Sequence, residues 1–457
     1  MPKDSGSGPS LTNDPTAATR ANAPARANAP ARANAPAEPT PPTAPTPPPG
    51  TPRRLAWLLG PALVAGVAYL DPGNVASNMT AGARFGYLLV WVVVLGNTMA
   101  WLIQYLSAKL GVVTGQSLAE TLGLRFRSDM ARRAYWLQAE LVAMATDIAE
   151  VIGGAVALWL LFGVPLPIGG LMTGAVSIAL LLVQQRRGAR SFEFVVIALL
   201  AVIALGFTYG VFAAPPDAAS VLGGLVPRFE GADSVLLAAS ILGATIMPHA
   251  IYAHSALARD RFAAGDAHPA DRGAGIPRLL RATRWDVTIA LAIAGTVNLA
   301  ILLLAAANLA GVPGTDSLEG AYAALDTGLG AVVATLFAVG LLASGLASTA
   351  VGAYAGAEIM QGLLRVRVPL IARRLVTLVP AIAILAAGVD PTCALVLSQV
   401  VLSFGIPFAL VPLVWLTART DVLGRYRNHW WTTAVGALAA AFLIALNGVL
   451  LWLVLAG

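Results

Sequence analysis

The sequence predicts an all-α membrane protein with eleven transmembrane helices. Of its 457 residues, 57% are hydrophobic and only 11% are charged, whereas a soluble chain carries about a quarter charged residues. A soluble fold with so little charge would expose an apolar surface that promotes aggregation. Apolar runs of about twenty residues cross the bilayer as helices, because a helix satisfies its own backbone in lipid. The eleven apolar stretches lie near 55–83, 86–109, 132–161, 168–185, 192–213, 233–260, 284–309, 326–357, 369–388, 391–417 and 431–455.

The basic residues predict the orientation of these helices. With the N-terminus in the cytoplasm, 27 of the 29 lysine and arginine residues fall on the cytoplasmic side, and only Arg84 and Arg228 fall outside. Cytoplasmic loops of membrane proteins carry such an excess. An odd number of spans places the C-terminus, Gly457, outside. Because arginine greatly outnumbers lysine, which is typical of GC-rich prokaryotic genomes, we expect a multi-pass protein of a bacterial inner membrane.

The chain divides into a tail, residues 1–52, and a membrane domain, residues 53–457. In the tail, the hexamer Ala21–Arg26 repeats as Ala27–Arg32 and a proline-rich run follows. Such a composition cannot bury enough apolar surface to offset its ordering entropy, so the sequence predicts a disordered cytoplasmic tail. The basic residues follow the membrane topology, and no nucleic-acid partner is expected.

A helix break is predicted in the first apolar stretch, at Asp71-Pro72-Gly73-Asn74. Proline removes a backbone hydrogen bond and the following glycine favours unwinding. A carboxylate at this depth must face protein, water or a ligand. A simple turn between two short helices is the alternative, but it would leave two segments too short to span and would upset the charge distribution.

A second break is predicted in the sixth stretch, around Met247-Pro248-His249. The first and sixth stretches each begin a five-helix half, about 55–213 and 233–417, and an odd number of spans inverts the second half relative to the first. Broken helices at matching positions of inverted halves indicate a substrate site near the middle of the bilayer. Stretch 431–455 is additional to the two halves.

The donors at the two breaks favour a transition-metal ion. Asp71 and Asn74 offer oxygens, the unwound turns free the carbonyls of Ala68 and Ala244, and Met247 adds a thioether sulfur. Ca²⁺ and Mg²⁺ take oxygen ligands alone, whereas sulfur favours Fe²⁺, Mn²⁺, Co²⁺ and Cd²⁺. Taken alone, Met247 would be interpreted as a packing residue; its place beside the break favours the ligand interpretation. The single cysteine, Cys393, excludes an internal disulfide and a cysteine-based zinc site.

These paired motifs closely resemble the Nramp family of divalent-metal transporters. The resemblance continues through Met144–Gly154 in the third stretch and covers nearly all of residues 54–457. It implies a leucine-transporter-type fold, a 5+5 inverted repeat plus an eleventh helix, and proton-coupled uptake of Mn²⁺ and Fe²⁺. The metal ligands it implies are Asp71, Asn74, Met247 and the Ala244 carbonyl, with the Ala68 carbonyl and Gln399 joining in other conformations. A related branch that carries Mg²⁺ lacks the methionine.

The third stretch carries three acids, Glu140, Asp147 and Glu150, whose spacing places them on one helical face. Acids at this depth are costly and indicate a proton route. Their expected partners are Arg373, Arg374, His249 and His254. The resemblance supports a relay from Asp71 through Glu150 and Asp147 to the arginines. A salt-bridge network that merely neutralises the acids remains the alternative.

Other features are less specific. Asn298 is a candidate gate of the outer vestibule, although an asparagine that bridges two helices is the simpler interpretation. Asp390-Pro391 predicts the start of the tenth helix, and Trp430-Trp431 predicts an interfacial anchor.

The sequence therefore predicts a secondary transporter that imports divalent metal ions with protons by alternating access, and not an enzyme. Its expected partners are these ions and the lipid bilayer; no resident cofactor and no obligate protein partner are expected. A sodium-coupled organic-solute symporter of the same fold, a membrane enzyme or sensor, and a passive channel are the competing classes. An amino-acid substrate fits less well because Asp71 would repel its carboxylate.

Overall fold

The computed structural model describes residues 60–187, 189–263, 269–366 and 369–456. None of these residues forms a β-strand, so the described chain is all-α. The helices are α1 (Pro61–Val67), α2 (Pro72–Phe85), α3 (Val90–Thr114), α4 (Leu118–Arg125), α5 (Asp129–Phe162), α6 (Leu166–Arg187), α7 (Ala189–Ala213), α8 (Ala218–Gly223), α9 (Gly231–Thr245), α10 (Pro248–Ala263), α11 (Pro269–Asn308), α12 (Leu318–Leu329), α13 (Ala331–Leu364), α14 (Leu370–Ala386), α15 (Pro391–Ala418), α16 (Thr420–Leu423) and α17 (Trp430–Ala456).

Each of the eleven predicted stretches coincides with one helix or with a pair of helices. Within the described part of the chain, seven helical segments are long and apolar enough to cross a membrane: α3, α5, the α9–α10 pair, most of α11, α13, α15 and α17. Shorter apolar helices lie at Pro61–Leu70, Leu166–Leu180 and Ile197–Ala213. Several spans are therefore present, while the number eleven stays a prediction. The predicted tail, residues 1–52, and Gly457 lie outside the described residues.

Some helix boundaries differ from the prediction. The stretch predicted at 326–357 contains a helix end, because Gly330 adopts a φ of 90° between α12 and α13. The polar segment before α5 contains α4, which a capping box initiates: Ser117 Oγ accepts from the Glu120 N–H, and the Glu120 carboxylate accepts from the Ser117 N–H. The predicted start of the tenth helix is confirmed, since Asp390 caps α15 and Pro391 is its first residue.

The two predicted breaks are confirmed. A 3₁₀ turn, Ala68–Leu70, joins α1 to α2, and Ile246 and Met247 separate α9 from α10. α2 packs against α9, α11 and α15, and α5 packs against α2, α6, α13 and α15. The breaks are therefore enclosed by protein on several sides. α5 contacts α2, the helix that follows the first break.

Candidate functional site

The first break is built by Asp71, which caps the N-terminus of α2. Its Oδ1 accepts a hydrogen bond of 2.8 Å from the Asn74 N–H, and Pro72 occupies the first helical position, where no N–H is required. The side chains of Asp71 and Asn74 are completely buried. The same four residues that predict the break therefore also start the second half of the helix.

The first break frees the carbonyls of Tyr69 and Leu70, whereas the Ala68 carbonyl, predicted to be free, accepts from the Asp71 N–H at 3.3 Å within the 3₁₀ turn. The Tyr69 carbonyl accepts from the side-chain amides of Asn74 and, at 3.0 Å, of Asn298 on α11. The Leu70 carbonyl accepts from the Ser344 hydroxyl on α13. Unpaired carbonyls are costly in an apolar interior. Asn298 therefore joins α11 to the break, as a helix-bridging asparagine would; its role as a gate stays a prediction.

The second break places Met247 between two helix ends. α9 ends at Thr245, the Ile246 N–H still bonds back to the Leu242 carbonyl at 2.9 Å, and α10 begins at Pro248. Met247 and Ala244 are completely buried. The thioether and the last turn of α9 consequently lie inside the protein and away from the lipid.

Gln399 on α15 lies against both broken helices. Its Nε2 donates a hydrogen bond of 3.0 Å to Asp71 Oδ2. A Cβ added to Gly73 would lie 1.8 Å from that nitrogen, and a Cβ added to Gly243 on α9 would lie 2.0 Å from the Gln399 carbonyl oxygen. Glycine on both sides is what lets this residue reach the break.

The donor set at the breaks contains a single carboxylate. Asp71 accepts from the uncharged donors Asn74 and Gln399. In the described part of the chain, no three His, Cys, Asp or Glu side chains cluster as a metal site. An ion bound here would be held by one negative charge and neutral oxygen and sulfur donors. The predicted donors Asp71, Asn74, Met247, Ala244, Ala68 and Gln399 are all buried, and their role as ligands stays a prediction.

The three acids of α5 meet two buried arginines of α14. Arg373 donates to Glu140 and to Asp147, both at 2.9 Å. Arg374 donates to Asp147 at 3.1 Å and to Glu150 at 3.2 Å. Three carboxyl groups thus share two guanidinium groups, so the buried network contains one more acid than base.

Glu150 stands at the end of this network that faces the first break. One turn further along α5, a Cβ added to Gly153 would lie 2.0 Å from Pro72 Cβ, so this part of α5 packs directly against the first break. Among the described atoms, Glu150 Oε1 is buried without a hydrogen-bond partner. The three acids therefore lie along α5 between its contact with the first break and the arginines of α14, and their use as a proton route stays a prediction.

The two histidines have separate environments. His249 Nδ1 lies 3.2 Å from the hydroxyl of Thr146, the residue next to Asp147 on α5. His254 Nδ1 lies 2.8 Å from Gln104 Oε1 on α3. The sequence analysis expected both histidines to contact the α5 acids, but the hydrogen bond of His254 goes to α3. His254 follows His249 by five positions, and this spacing points the two side chains to different sides of α10.

Sequence reasoning missed several supporting residues. Asn78 donates to Asn74 Oδ1 at 2.6 Å, and its spacing of four residues could have indicated this contact. Ser177 and Thr349 accept from Arg374 at 2.9 and 3.2 Å. These two residues belong to helices distant in sequence, so no local pattern could have shown them.

A cavity of about 340 Å³ opens at the ends of α2, α9 and α15 that lie near Arg84. The carboxylates of Asp233, Asp316 and Asp390 contribute to its lining. At its edge, Arg84 and Asp233 form an ion pair of 2.5 Å between α2 and α9. The lining therefore carries more negative than positive charge.

Two interrupted helices around one enclosed polar site, with acids nearby, define a class of secondary transporters built from inverted repeats. The family described as Nramp, "Natural resistance-associated macrophage protein-like", matches residues 62–453. The divalent metal cation transporter MntH of Mycobacterium tuberculosis is 60% identical over 408 residues, which cover 89% of this chain and 94% of that protein.

The chain therefore belongs to the Nramp family, and it is a multi-pass membrane transporter and not an enzyme. A solved manganese transporter of Eremococcus coleocola, in complex with an aromatic bis-isothiourea substituted compound, is 33% identical with a TM-score of 0.76, covering 86% of this chain and 85% of that one. MhsT in complex with L-phenylalanine is 13% identical with a TM-score of 0.54, covering 86% of this chain and 98% of that one, a likeness of fold alone. The predicted leucine-transporter-type fold is confirmed.

Proposed function

We propose that the protein imports divalent transition-metal ions, Mn²⁺ and Fe²⁺ above all and also Co²⁺ and Cd²⁺, together with protons. The observation that carries this proposal is the buried carboxylate of Asp71, which accepts hydrogen bonds from uncharged donors at the first helix break. A buried carboxylate without a cation is costly, and a bound metal ion would supply the missing charge. Two relatives, a divalent metal cation transporter and a manganese transporter, carry ions of the kind that this donor set favours.

Met247 supplies the selectivity in this proposal. Its thioether lies buried at the second break, where sulfur is a poor ligand for Ca²⁺ and Mg²⁺ and an acceptable one for softer ions. Selection against the abundant alkaline-earth ions follows from this ligand, whereas choice among transition metals depends on geometry and supply. An amino-acid substrate would bring its carboxylate towards Asp71 and be repelled, although the fold resembles that of a protein holding L-phenylalanine.

Proton coupling would arise because the carboxylate of Asp71 binds either a proton or the metal ion. Metal binding would displace the proton of Asp71, and Glu150, one turn of α5 before the contact of Gly153 with Pro72, is the next acid along the proposed route. The α5 acids outnumber the arginines Arg373 and Arg374, so the network can hold one more proton, for example on Glu150, while each arginine keeps an ionised partner in Asp147. The proton then leaves through Asp147 towards α14, with His249 beside the path.

Alternating access would be provided by the broken helices. The pairs α1–α2 and α9–α10 can pivot at their non-helical residues against α5, α6, α13 and α14, which exposes the site to one side at a time. The acidic cavity near Arg84 and Asp233 is the proposed entrance for the cation. In a bacterial inner membrane, with the N-terminus cytoplasmic, this entrance faces outward.

The test uses the full chain in proteoliposomes with a Mn²⁺ gradient and dyes that report metal and internal pH together. Wild-type protein is expected to carry Mn²⁺ and acidify the lumen in step with it. Asp71→Asn, which keeps the shape and removes the charge, is expected to abolish both signals. The matched control is Asp326→Asn at an exposed position of α12, which should transport normally. Full Mn²⁺ uptake by Asp71→Asn would refute the site.

A further inference from the structure

A groove lies between α4 and the end of α15, remote in sequence from both helix breaks. It encloses about 300 Å³ and is lined by Leu122, Arg125, Phe126, Val411, Pro412 and Trp415. All but one of these side chains are apolar. The groove thus offers a slot for a hydrocarbon chain with one cation at its edge.

An apolar stripe on α15 leads into the groove. Its exposed large side chains recur every three or four residues, which places them on one face of the helix. A surface stripe of this kind on a transmembrane helix contacts lipid tails. The stripe consists of Val401, Phe404, Phe408, Val411 and Trp415.

Arginines surround the end of this stripe. The guanidinium groups of Arg125 and Arg419 lie 5.8 and 4.7 Å from the ring centre of Trp415, within the range of cation–π contacts. Arg427 donates to the Thr420 hydroxyl at 3.2 Å, next to Arg419. The acid in this group, Asp421, lies 2.7 Å from Arg419 and 3.6 Å from Arg125. Three cations against one anion leave the cluster positive.

We propose that this groove is a binding site for an anionic phospholipid. The phosphate would take hydrogen bonds from Arg125 and Arg419 in competition with Asp421, and an acyl chain would lie in the groove and along the α15 stripe. Arginine suits phosphate because its planar donors bind two oxygens at once. Basic pockets between transmembrane helices on the cytoplasmic side are typical sites for anionic head groups, and the sequence predicts that α4 and α16 lie on that side.

The shape and charge of the groove favour a lipid over a protein partner. A specific protein interface needs on the order of 1,000 Å² of buried surface, whereas this feature is a narrow slot on the lipid-facing side of α15. Trp430 and Trp431, at the start of α17, stack at 3.5 Å and are exposed, as residues at the head-group level are. The Asn428 N–H bonds to the Thr417 carbonyl at 2.8 Å, which keeps this anchor beside the end of α15.

The test measures lipid binding to the purified full chain by native mass spectrometry, with phosphatidylglycerol against phosphatidylcholine. A cation near a charged lipid contributes about fivefold in affinity, so Arg125→Gln/Arg419→Gln is expected to weaken phosphatidylglycerol binding by about thirtyfold. Arg228→Gln, an exposed arginine elsewhere, is the matched control and should bind normally. Asp421→Asn should bind more tightly, because the competing carboxylate is gone.

Location is tested with phosphatidylglycerol whose acyl chains carry bromine, which quenches nearby tryptophan. Quenching should fall in Trp415→Phe and in the double arginine variant, and inorganic phosphate should not compete. Equal binding of both lipids, unchanged binding by the double variant, weaker binding by Asp421→Asn, or a native mass showing a second copy in place of lipid would each overturn the proposal. The proposal does not depend on the metal site, so metal uptake can fail without affecting it.

Discussion

The side-chain amide of Gln399 donates a 3.0 Å hydrogen bond to Asp71 across 328 positions of sequence. This bond links α15 to the first helix break. The Gln399 carbonyl also lies against Gly243, which is beside the second break. One glutamine therefore contacts both interrupted helices. Its amide oxygen is buried and, among the described atoms, has no donor of its own, so it is available to a bound cation.

Replacing Gln399 by Leu should weaken metal transport while leaving the fold intact. The substitution removes both the donor to Asp71 and a free amide oxygen, and loss of such a group costs about tenfold to a hundredfold in metal affinity. Uptake of Mn²⁺ at graded concentrations measures the apparent KM. Gln361→Leu, at the end of α13, is the control; equal KM values for the two variants would show that Gln399 is not part of the site.

Gly73→Ala should have the same effect for a steric reason. The new Cβ would lie 1.8 Å from Gln399 Nε2, so the amide would have to leave Asp71. Gly448→Ala, where a Cβ would meet no atom within 4 Å, is the matched control. Because both changes disturb one contact, adding Gly73→Ala to Gln399→Ala should cause little further loss of uptake. Additive losses would mean that Gly73 acts elsewhere.

Met247→Ala should change which ions are transported. Without the sulfur, the remaining ligands are oxygens, and Ca²⁺ and Mg²⁺ become better competitors for Mn²⁺. The buried Met79→Ala is the control, since removing either side chain leaves a cavity that costs about 2–5 kcal/mol of stability. The measurement is inhibition of Mn²⁺ uptake by Ca²⁺. An unchanged Ca²⁺/Mn²⁺ ratio in Met247→Ala would show that the thioether does not select.

Glu150→Gln should separate metal transport from proton transport. The substitution keeps an acceptor for Arg374 but removes the group that would take up a proton after Asp71 in the proposed relay. We expect Mn²⁺ uptake to persist at a reduced rate with little acidification of the lumen. The exposed Glu230→Gln is the control. Should Glu150→Gln keep the normal ratio of protons to metal and only unfold at lower temperature, the acids and arginines would be a structural salt-bridge network.

Local sequence patterns predicted the elements of the site well. Asp71-Pro72-Gly73-Asn74 specifies a break and a helix cap within four residues, because proline, glycine and a capping carboxylate act on their immediate neighbours. The spacing of Glu140, Asp147 and Glu150 likewise fixed a common face of α5. The end of α12 at Gly330 was not predicted, because this glycine lies inside a run of apolar residues that resembles one continuous helix.

Contacts between distant helices could not be predicted in this way. Nothing near Ser344 or Asn298 in sequence indicates that they satisfy the carbonyls of Leu70 and Tyr69. Those buried carbonyls need donors because the break removes their intrahelical partners, but many polar side chains could have supplied the donors. His254 illustrates the same limit, since its partner Gln104 is 150 positions away.

Composition, proline and glycine act locally, so the membrane-spanning character of the chain, the positions of its helix breaks and the donors at those breaks follow from the residues alone. Which groups meet depends on the packing of the helices. This packing brings Gln399 to Asp71, arranges three acids around two arginines and sets Arg125 and Arg419 at the end of the exposed apolar stripe of α15. Those outcomes depend on the packing of helices far apart in the chain, where close approach at glycines such as Gly73 and Gly243 selects one partner among many.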